Sequence, residues 1–286
     1  MVTFATQDSS MKKFHLVSVF ILLCGAGFGQ YYQKDIIGPI QSATQWNMLK
    51  KNNIHSVKLA SYESNNQPSE GFSGEQKIFD NYARIETYTT TLQNGSSVLS
   101  SWYNTNGQLV KTVDTSEDFS SISTYEYDKD GRISKIMNTS SSAGQFSTSE
   151  VHLWSYDKAG RPVKMLRIRN GNDTTVYTLI HDEKGNVVEE HGLRQEQQEP
   201  TVYYYYDDKN RLTDVVRYNL KAQRLLPTNI FSYDASGNIA GMLLVPEGSN
   251  DYQRWYYDYD DRGLKIRERA YNKKSELLGK VEYQYQ

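Results

Sequence analysis

The sequence predicts an all-β protein, an antiparallel β-meander of about eight hairpin repeats in a twisted or wrapped sheet, preceded by a short helical N-terminal cap. A unit of roughly 25 residues recurs eight times over residues 72–286, and such self-similarity is typical of repeat architectures. Each unit carries an aromatic residue followed by Asp or Asn, with Gly or a close substitute three positions later. Tyrosine is abundant, with 23 copies in 286 residues, and a high aromatic content argues against disorder.

The first segment of the chain, residues 1–29, is predicted to be an export signal. Two lysines precede a ten-residue apolar core at 14–23, and Gly27 and Gly29 then occupy the −3 and −1 positions of a cleavage site before Gln30. A basic start, a short apolar core and small residues at the cleavage site are typical of a secretory signal peptide, and this core is too short to span a membrane. We therefore expect an exported protein, periplasmic, at the cell surface or extracellular.

The same segment holds Met11, the expected start of translation, and Cys24, the only cysteine in the chain. Lipid attachment at Cys24 is the less favoured alternative, because the residue before it is the bulky Leu23. Removal of 29 of the 286 residues leaves 257 residues without cysteine, so no disulfides are expected despite export. No later run of eighteen apolar residues occurs, and no integral helical span is expected.

Residues 30–71 are predicted to form an N-terminal cap on the repeat domain. The sequence at 42–45, Ser-Ala-Thr-Gln, fits a capping box and predicts a short helix at about 43–51. Residues 54–62 are predicted to form a strand, and the polar residues 63–75 a loop. A terminal unit that covers the first edge of an array is what repeat proteins usually require.

Residues 72–286 are predicted to form the repeat domain. The first turn position of the eight units holds Asp80, Asn104, Asp128, Asp157, Asp182, Asp207, Asp234 and Asp260. The position three residues later holds Ala83, Gly107, Gly131, Gly160, Gly185, Asn210, Gly237 and Gly263. Glycine and asparagine are the residues that best tolerate positive φ, so each unit is expected to contain a tight turn.

The physical chemistry of the unit predicts a hairpin. Asp at the first turn position accepts hydrogen bonds from backbone N–H groups a few residues on, and Gly at the fourth position closes the turn. Because side chains alternate along a strand, the residues one and three before the acid share a face and form aromatic rungs. Eight units imply about sixteen strands, and the C-terminal VEYQYQ is a final strand. Its flanking lysines, Lys273, Lys274 and Lys280, suit an edge that must resist pairing.

The pattern Tyr-Asp-x-x-Gly-Arg-aliphatic, present at 127–133 and nearly so at 156–163, resembles the YD-repeat (RHS-like) families. The resemblance covers about three quarters of the chain, and the whole arrangement also resembles secreted repeat proteins of Bacteroidetes-type bacteria. It implies a sheet that winds into a spiral or shell with tyrosine-rich rungs and serves as a scaffold. The repeats here are longer and less regular than the family pattern, and eight units are too few for a large closed shell.

Composition and motifs exclude several classes of function. A formal charge of −2 gives no basic footprint for nucleic acid. The turn acids occupy one shared context, so turn formation explains them better than catalysis. Asp258 to Gly263 resembles half of a calcium loop, but its twelfth position is Arg269 instead of Glu. His181 replaces tyrosine in its unit. No catalytic, metal-binding or cofactor-binding motif is expected.

The function predicted from sequence is an exported, non-catalytic binding or scaffold protein that recognises a cell-surface glycan or another cell-envelope protein. The alternative is an outer-membrane β-barrel, and a secreted hydrolase is less favoured. Charges on both faces of the strand at 161–169 oppose the barrel, because Lys or Arg at the lipid-facing midplane costs roughly 2–4 kcal/mol. The candidate binding residues are the strand aromatics Trp102, Tyr125, Trp154, Tyr204, Phe231 and Trp255.

Overall fold

The computed structural model of the protein describes residues 30–142, 147–219, 222–245 and 251–286, so the predicted signal at 1–29 lies outside the described residues. A π-helical segment, Tyr32–Ile37, continues directly into helix α1, Gly38–Lys51. The strands are β1 (Ser56–Glu63), β2 (Ser73–Phe79), β3 (Arg84–Thr91), β4 (Gly95–Tyr103), β5 (Leu109–Thr115), β6 (Phe119–Tyr127), β7 (Ile133–Ser142), β8 (Ser147–Tyr156), β9 (Pro162–Arg169), β10 (Asp173–His181), β11 (Val187–Arg194), β12 (Gln197–Gln198), β13 (Val202–Tyr206), β14 (Leu212–Asn219), β15 (Arg224–Tyr233), β16 (Ile239–Leu244), β17 (Gln253–Tyr259), β18 (Lys265–Tyr271) and β19 (Leu277–Tyr285). A 3₁₀ turn, Asp80–Tyr82, joins β2 to β3.

The strands form one closed antiparallel barrel. Each long strand pairs with its neighbours in the chain, and the two-residue β12 pairs with β11, which itself continues to β13. The ring closes where β1 pairs with β19, in a register that places Val57 opposite Tyr285 and Ser61 opposite Val281. Without β12, eighteen strands surround the lumen.

Closure corrects the expectation of an open twisted or wrapped sheet. The eight repeats supply sixteen strands, β2 to β11 and β13 to β18, and the two terminal strands β1 and β19 fill the remaining gap. The C-terminal strand is therefore not a free edge. Lys280, expected to guard that edge, instead places its ammonium 4.4 Å from the ring centre of Tyr62 across the seam.

The turns of all eight repeats lie at one end of the barrel. Successive strands are antiparallel, and every repeat turn follows a strand that runs toward that end, namely β2, β4, β6, β8, β10, β13, β15 and β17. In the third repeat, the N–H groups of Asp130 and Arg132 each donate to Asp128 Oδ1 at 2.9 Å. The Arg132 Nε also donates to Asp128 Oδ2 at 2.8 Å, so the acid is fully occupied within its turn. Gly131 has φ +78° there, as the pattern predicts.

Tyrosines at the position before the turn acid form a ladder that reaches across strands. The hydroxyl of Tyr156 donates to the Ile133 carbonyl oxygen at 2.7 Å, and the hydroxyl of Tyr206 donates to that of Val187 at 2.8 Å. The same bond recurs from Tyr127, Tyr233 and Tyr259, and Tyr285 of the terminal strand β19 makes an equivalent one. Each bond ties a repeat to the start of the outgoing strand of the repeat before it.

The N-terminal helical segment lies inside the barrel and does not cover an edge. Trp46 donates its Nε1–H to the Tyr82 carbonyl oxygen at 2.7 Å and is 5% exposed. Ser42, the predicted N-cap, lies within α1, and its Oγ is 2.8 Å from the hydroxyl oxygen of Tyr103. Contacts with the barrel, and not a capping box, accept the backbone N–H groups at the start of the helical segment. The helix therefore begins earlier than predicted. Among the described residues, no helix is both long and apolar enough to cross a membrane.

Two apolar clusters form the core, one at each end of the helical segment. Tyr31 packs with residues of β7 to β15, including Met165 and Val215, which are fully buried. Trp46 and Leu49 pack with β1, β3, β4, β5 and β19. The segment therefore runs across the lumen and contacts opposite walls.

Candidate functional site

The start of the helical segment meets a group of buried charged side chains on the inner wall of β8 to β13. Several of these side chains contact the segment directly. We refer to Glu150, His152, Arg167, Glu190 and Glu199, together with Asp35 of the segment, as the luminal polar cluster.

His152 lies between two carboxylates. Its Nδ1 is 2.6 Å from Asp35 Oδ2, and its Nε2 is 2.7 Å from Glu150 Oε1. Trp154 adds a hydrogen bond from its Nε1–H to Asp35 Oδ2 at 3.1 Å. Burial alone would lower the pKa of His152, but the two carboxylates outweigh it and raise the pKa to about 9.

Arg167 holds the segment from a second direction. It is 2% exposed and donates to the Tyr31 hydroxyl oxygen and to Thr175 Oγ1, both at 2.7 Å. Glu199, in the connection before β13, lies 3.5 Å from Arg167 and accepts a hydrogen bond from the Tyr177 hydroxyl at 2.5 Å. The guanidinium therefore has a carboxylate partner, as a buried charge requires.

Glu190 binds the backbone at the start of the segment. Its two carboxylate oxygens accept the N–H groups of Tyr31 and Tyr32 at 3.1 and 2.9 Å, and the hydroxyl of Tyr204 donates to it at 2.9 Å. The first N–H groups of a helix lack intrahelical acceptors, so a carboxylate at this position replaces an N-cap. Burial raises the pKa of Glu190, which is 1% exposed.

This arrangement is suited to anchoring and not to proton transfer. A general base needs an unprotonated nitrogen within reach of a substrate proton. Both ring nitrogens of His152 face carboxylates, and a pKa of about 9 keeps the ring protonated at neutral pH. The cluster thus lacks the free nitrogen that a Ser-His-Asp arrangement uses.

No group of three or more His, Cys, Asp or Glu side chains that could hold a metal ion occurs within the described residues. In the segment that resembles a calcium loop, Asp258 binds Arg267 at 2.7 Å and Arg269 at 3.0 Å. Asp260 accepts the N–H groups of Arg262 and Leu264 within its turn. These carboxylates are therefore occupied by the protein itself.

The six aromatic residues predicted to bind a ligand lie on two different faces. Five face the interior, where Trp154, Tyr204, Phe231 and Trp255 are at most 6% exposed and Tyr125 is half-buried. Trp102 lies on the outer face, and its ring is 5.0 Å from the Lys111 ammonium. A platform on the outer surface would therefore contain only Trp102, whereas the other five share the lumen.

Sequence reasoning missed the luminal polar cluster. Its signal was present, since His152 and Glu190 occupy inward positions that hold apolar residues in several other repeats, such as Val202 and Val215. A polar residue at an inward position of a repeat indicates a specific partner. That partner is the segment around Asp35, and its insertion into the lumen was not predicted.

Comparisons with known proteins give likeness in fold alone. No family model matches, and no curated protein matches. Similar solved structures include a porin-like protein from Bacteroides uniformis, with 11% identity, a TM-score of 0.42 and coverage of 82% of this chain and 96% of that one. A porin-like protein from Bacteroides vulgatus shows 12% identity, a TM-score of 0.26 and coverage of 82% and 98%.

The Tc holotoxin pore of Photorhabdus luminescens shows 12% identity and a TM-score of 0.34 over 73% of this chain. The chain spans only 12% of the length of that toxin chain. Because every one of these TM-scores lies below 0.5, none of them supports a conclusion about function. The resemblance to YD-repeat families stays an expectation from the sequence, and the structure itself establishes a closed antiparallel β-barrel with an internal helix.

Proposed function

We propose that the protein is an exported, non-catalytic binding protein of the cell envelope, built as a barrel whose lumen is occupied by its own N-terminal segment. The observation that supports this most directly is the anchoring of that segment. Glu190, Arg167 and His152 each bind it through a buried, charge-assisted contact of 2.6–3.1 Å. Hydrogen bonds that involve a charged group are about twice as strong as neutral ones, so the segment is expected to stay in place.

A non-catalytic role is supported by how the charged groups are used. The turn acids are occupied by backbone N–H groups, as Asp128 and Asp207 illustrate. His152, which is buried beside two carboxylates, has no free nitrogen. Turnover of a glycan or ester by the purified protein would overturn this part of the proposal.

The outer face supports a barrel surrounded by water. Charged side chains point outward on β17, β18 and β19, where Arg267 pairs with Asp258 at 2.7 Å toward the repeat-turn end, and Lys280, near the middle of β19, pairs with Glu282 at 2.9 Å. On another side, Lys135 pairs with Glu126 at 2.8 Å. A lipid-facing belt excludes such residues, since each midplane Lys or Arg there costs roughly 2–4 kcal/mol.

The second candidate is an outer-membrane barrel, and the closed ring of an even number of antiparallel strands fits it better than an open scaffold sheet would. One stretch of the outer face also favours it. Apolar side chains stand side by side there across β7 to β11: Met137, Val151, Leu153, Leu166, Ile168, Val176 and Leu193. This stretch covers a part of the circumference, whereas a membrane barrel needs an apolar band around all of it.

Fractionation of cells that express the full chain separates the two candidates. The main proposal expects the protein in the aqueous fraction, monodisperse without detergent, and without ion conductance when added to planar bilayers. Recovery only with detergent, together with stable conductance steps, would instead establish the outer-membrane barrel. The Glu190→Ala variant refines the test, because a loosened segment raises conductance only if the barrel spans a membrane.

A further inference from the structure

A short strap lies at the end of the barrel opposite the repeat turns. It consists of residues 195–201, between β11 and β13, and includes the two-residue strand β12. Glu199 of the strap turns into the lumen, where its Oε2 accepts the hydroxyl of Tyr177 at 2.5 Å and its Oε1 lies 3.5 Å from Arg167 Nη2. The strap thus places a carboxylate of the chain beside the buried guanidinium.

The contact between Glu199 and Arg167 is incomplete. Its 3.5 Å exceeds the about 2.7–2.9 Å typical of a charge-assisted N–H···O bond, whereas the same guanidinium donates to Tyr31 and Thr175 at 2.7 Å. Arg167 is 2% exposed, and its Nε has no hydrogen-bond partner among the described residues. Because buried donors are almost always paired, this guanidinium retains the capacity to bind a better-placed carboxylate.

Few contacts hold the strap in place. β12 pairs with β11 at two positions only, and at the exposed tip Gln195 and Glu196 both have positive φ, +47° and +67°. The N–H of Glu199 donates to the Gly192 carbonyl oxygen at 2.9 Å, and the next residue, Pro200, has no N–H to add a bond. Segments with few buried contacts open locally more readily than the strands beside them, so the strap is the part of this wall suited to opening.

The space for a ligand is the volume that the Glu199 side chain itself occupies. Gly192 borders this volume, and a Cβ built there would lie 2.8 Å from Tyr177 Cε1 and 3.1 Å from Glu199 Cβ. When the strap opens, another carboxylate of the same size fits between Arg167 and the Tyr177 hydroxyl. The exchange leaves the charge beside the guanidinium unchanged. A dianion would add negative charge near Glu150, whose pKa Arg167 already helps to lower.

We propose that Arg167 and Tyr177 form a binding site for the carboxylate of a small acid or an acidic peptide, and that Glu199 occupies this site until such a ligand displaces it. The strap is thus an autoinhibitory contact. The apparent affinity of the wild type is reduced by the fraction of molecules in which the strap is open, so removal of the internal carboxylate should tighten binding. This inference rests on the proposed binding role and gives that role a ligand class.

Titration calorimetry on the purified protein tests the site. The probes are propionate, a free carboxylate, and N-acetylglutamyl amide, which carries the same group on a peptide unit, with propionamide and phosphate as controls. Glu199→Ala should bind propionate at least about tenfold more tightly than the wild type does. Glu196→Ala, which removes an exposed acid of the same strap, is the matched control and should bind like the wild type. Preference for the peptide probe identifies an acidic peptide as the source, and equal affinity identifies a free acid.

Dependence on the proposed partners is measured in the Glu199→Ala background. Arg167→Lys should weaken propionate binding at least about tenfold, and Tyr177→Phe, which removes one hydrogen bond and keeps the ring, about three- to tenfold. Urea midpoints show whether each variant is folded, and Tyr177→Phe decides the question if Arg167→Lys does not fold. In the wild type, saturating propionate should accelerate hydrogen exchange at the Glu199 amide, because that N–H leaves the Gly192 carbonyl as the strap opens.

Three results would overturn the proposal. The first is that Glu199→Ala binds propionate no better than Glu196→Ala does, and the second is that propionamide or phosphate binds as well as propionate. The third is that Tyr177→Phe leaves the affinity unchanged or that Glu199 exchange does not respond to bound propionate. Any of these leaves the water-exposed barrel with its anchored segment intact, whereas recovery of the protein only in detergent removes that barrel without affecting carboxylate binding.

Discussion

At the scale of single residues, the lumen tolerates charge because each charged group has a specific partner. His152 is the clearest case. It is 2% exposed and would be neutral if burial alone acted, but Asp35 and Glu150 flank both of its nitrogens. The protonated ring is therefore part of the folded structure, and stability should depend on pH through this group.

The folded-state pKa of about 9 lies above the ordinary value of 6.5, so the stabilisation is fully present below pH 6.5 and is lost as pH rises to about 9. One pKa unit corresponds to ~1.4 kcal/mol, and the loss over this range is expected to approach about 3 kcal/mol. Urea unfolding at a series of pH values measures this loss.

His152→Gln should be less stable at pH 6 and should lack this decline, whereas His191→Gln, on the exposed outer face, should retain it. Equal pH slopes in the wild type and His152→Gln would contradict the assignment.

The turn glycines are a second residue-scale feature, and Gly237 gives the cleanest test. Its φ is +92°, and a Cβ added there would meet no atom within 4 Å, so substitution changes backbone strain without a clash. Gly237→Val should lower the free energy of unfolding by more than about 1 kcal/mol, because left-handed backbone costs β-branched residues at least that much. The measurement is the urea midpoint at constant m-value.

Ala83 occupies the same repeat position and serves as the control for Gly237. The turn of its repeat is a 3₁₀ turn in which Ala83 has φ −68°, a value open to any residue. Ala83→Val should therefore change stability by less than about 0.5 kcal/mol. Similar losses at both positions would show that the glycine conformation is not what matters.

At the scale of the element, the hairpin repeat is held by its tyrosine as much as by its turn. Tyr156→Phe removes only the bond to the Ile133 carbonyl oxygen and should destabilise by about 1 kcal/mol. Tyr205→Phe is the control, since Tyr205 is 50% exposed on the outer face. Removing its hydroxyl should change the free energy of unfolding by nearly zero. Thermal and urea unfolding compare the two, and a loss of equal size in both would refute the ladder.

His181 stands where six other repeats have tyrosine and the first has Phe79, and its Nε2 has no hydrogen-bond partner in the described structure. His181→Tyr would restore the ring and hydroxyl of the ladder toward the Pro162 carbonyl. We expect a gain of up to about 1 kcal/mol in the free energy of unfolding. A destabilised His181→Tyr variant would mean that this repeat has adapted its packing to the imidazole.

The repeats could be predicted from sequence because the information for a hairpin is local. The acid and glycine at fixed separation specify the turn at Asp128 and Gly131, and strand alternation specifies which face Tyr125 shares with Tyr127. What the sequence could not specify was long-range placement. The bond from Tyr127 to the Leu109 carbonyl depends on the curvature of the sheet. The insertion of Asp35 beside His152 depends on a contact between residues more than a hundred positions apart in the chain.

At the scale of the whole molecule, the barrel and the segment inside it depend on each other. The segment brings Tyr31 to the wall of β7 to β15 and Trp46 to the wall that includes the β1–β19 seam. An open sheet could not present both walls to one helix. Closure at the seam is therefore the condition for the packing of the core, and it is also where the structure departs most from the open sheet expected from sequence.

A crosslink across the seam tests closure directly. Ala60 and Glu282 face each other on β1 and β19, and directly opposite residues in antiparallel strands have Cα atoms 4.5–5.5 Å apart, which suits a disulfide. In a Cys24→Ser background, which removes the only native cysteine, Ala60→Cys with Glu282→Cys should oxidise to a disulfide under mild conditions. In the chain-entropy model so long a loop should add about 5 kcal/mol of stability. Ala60→Cys with Glu126→Cys, on the outward face of the distant β6, is the control and should keep free thiols, read by mass after alkylation. An open sheet holds β1 and β19 at opposite edges, so free thiols in both pairs would exclude the closed barrel.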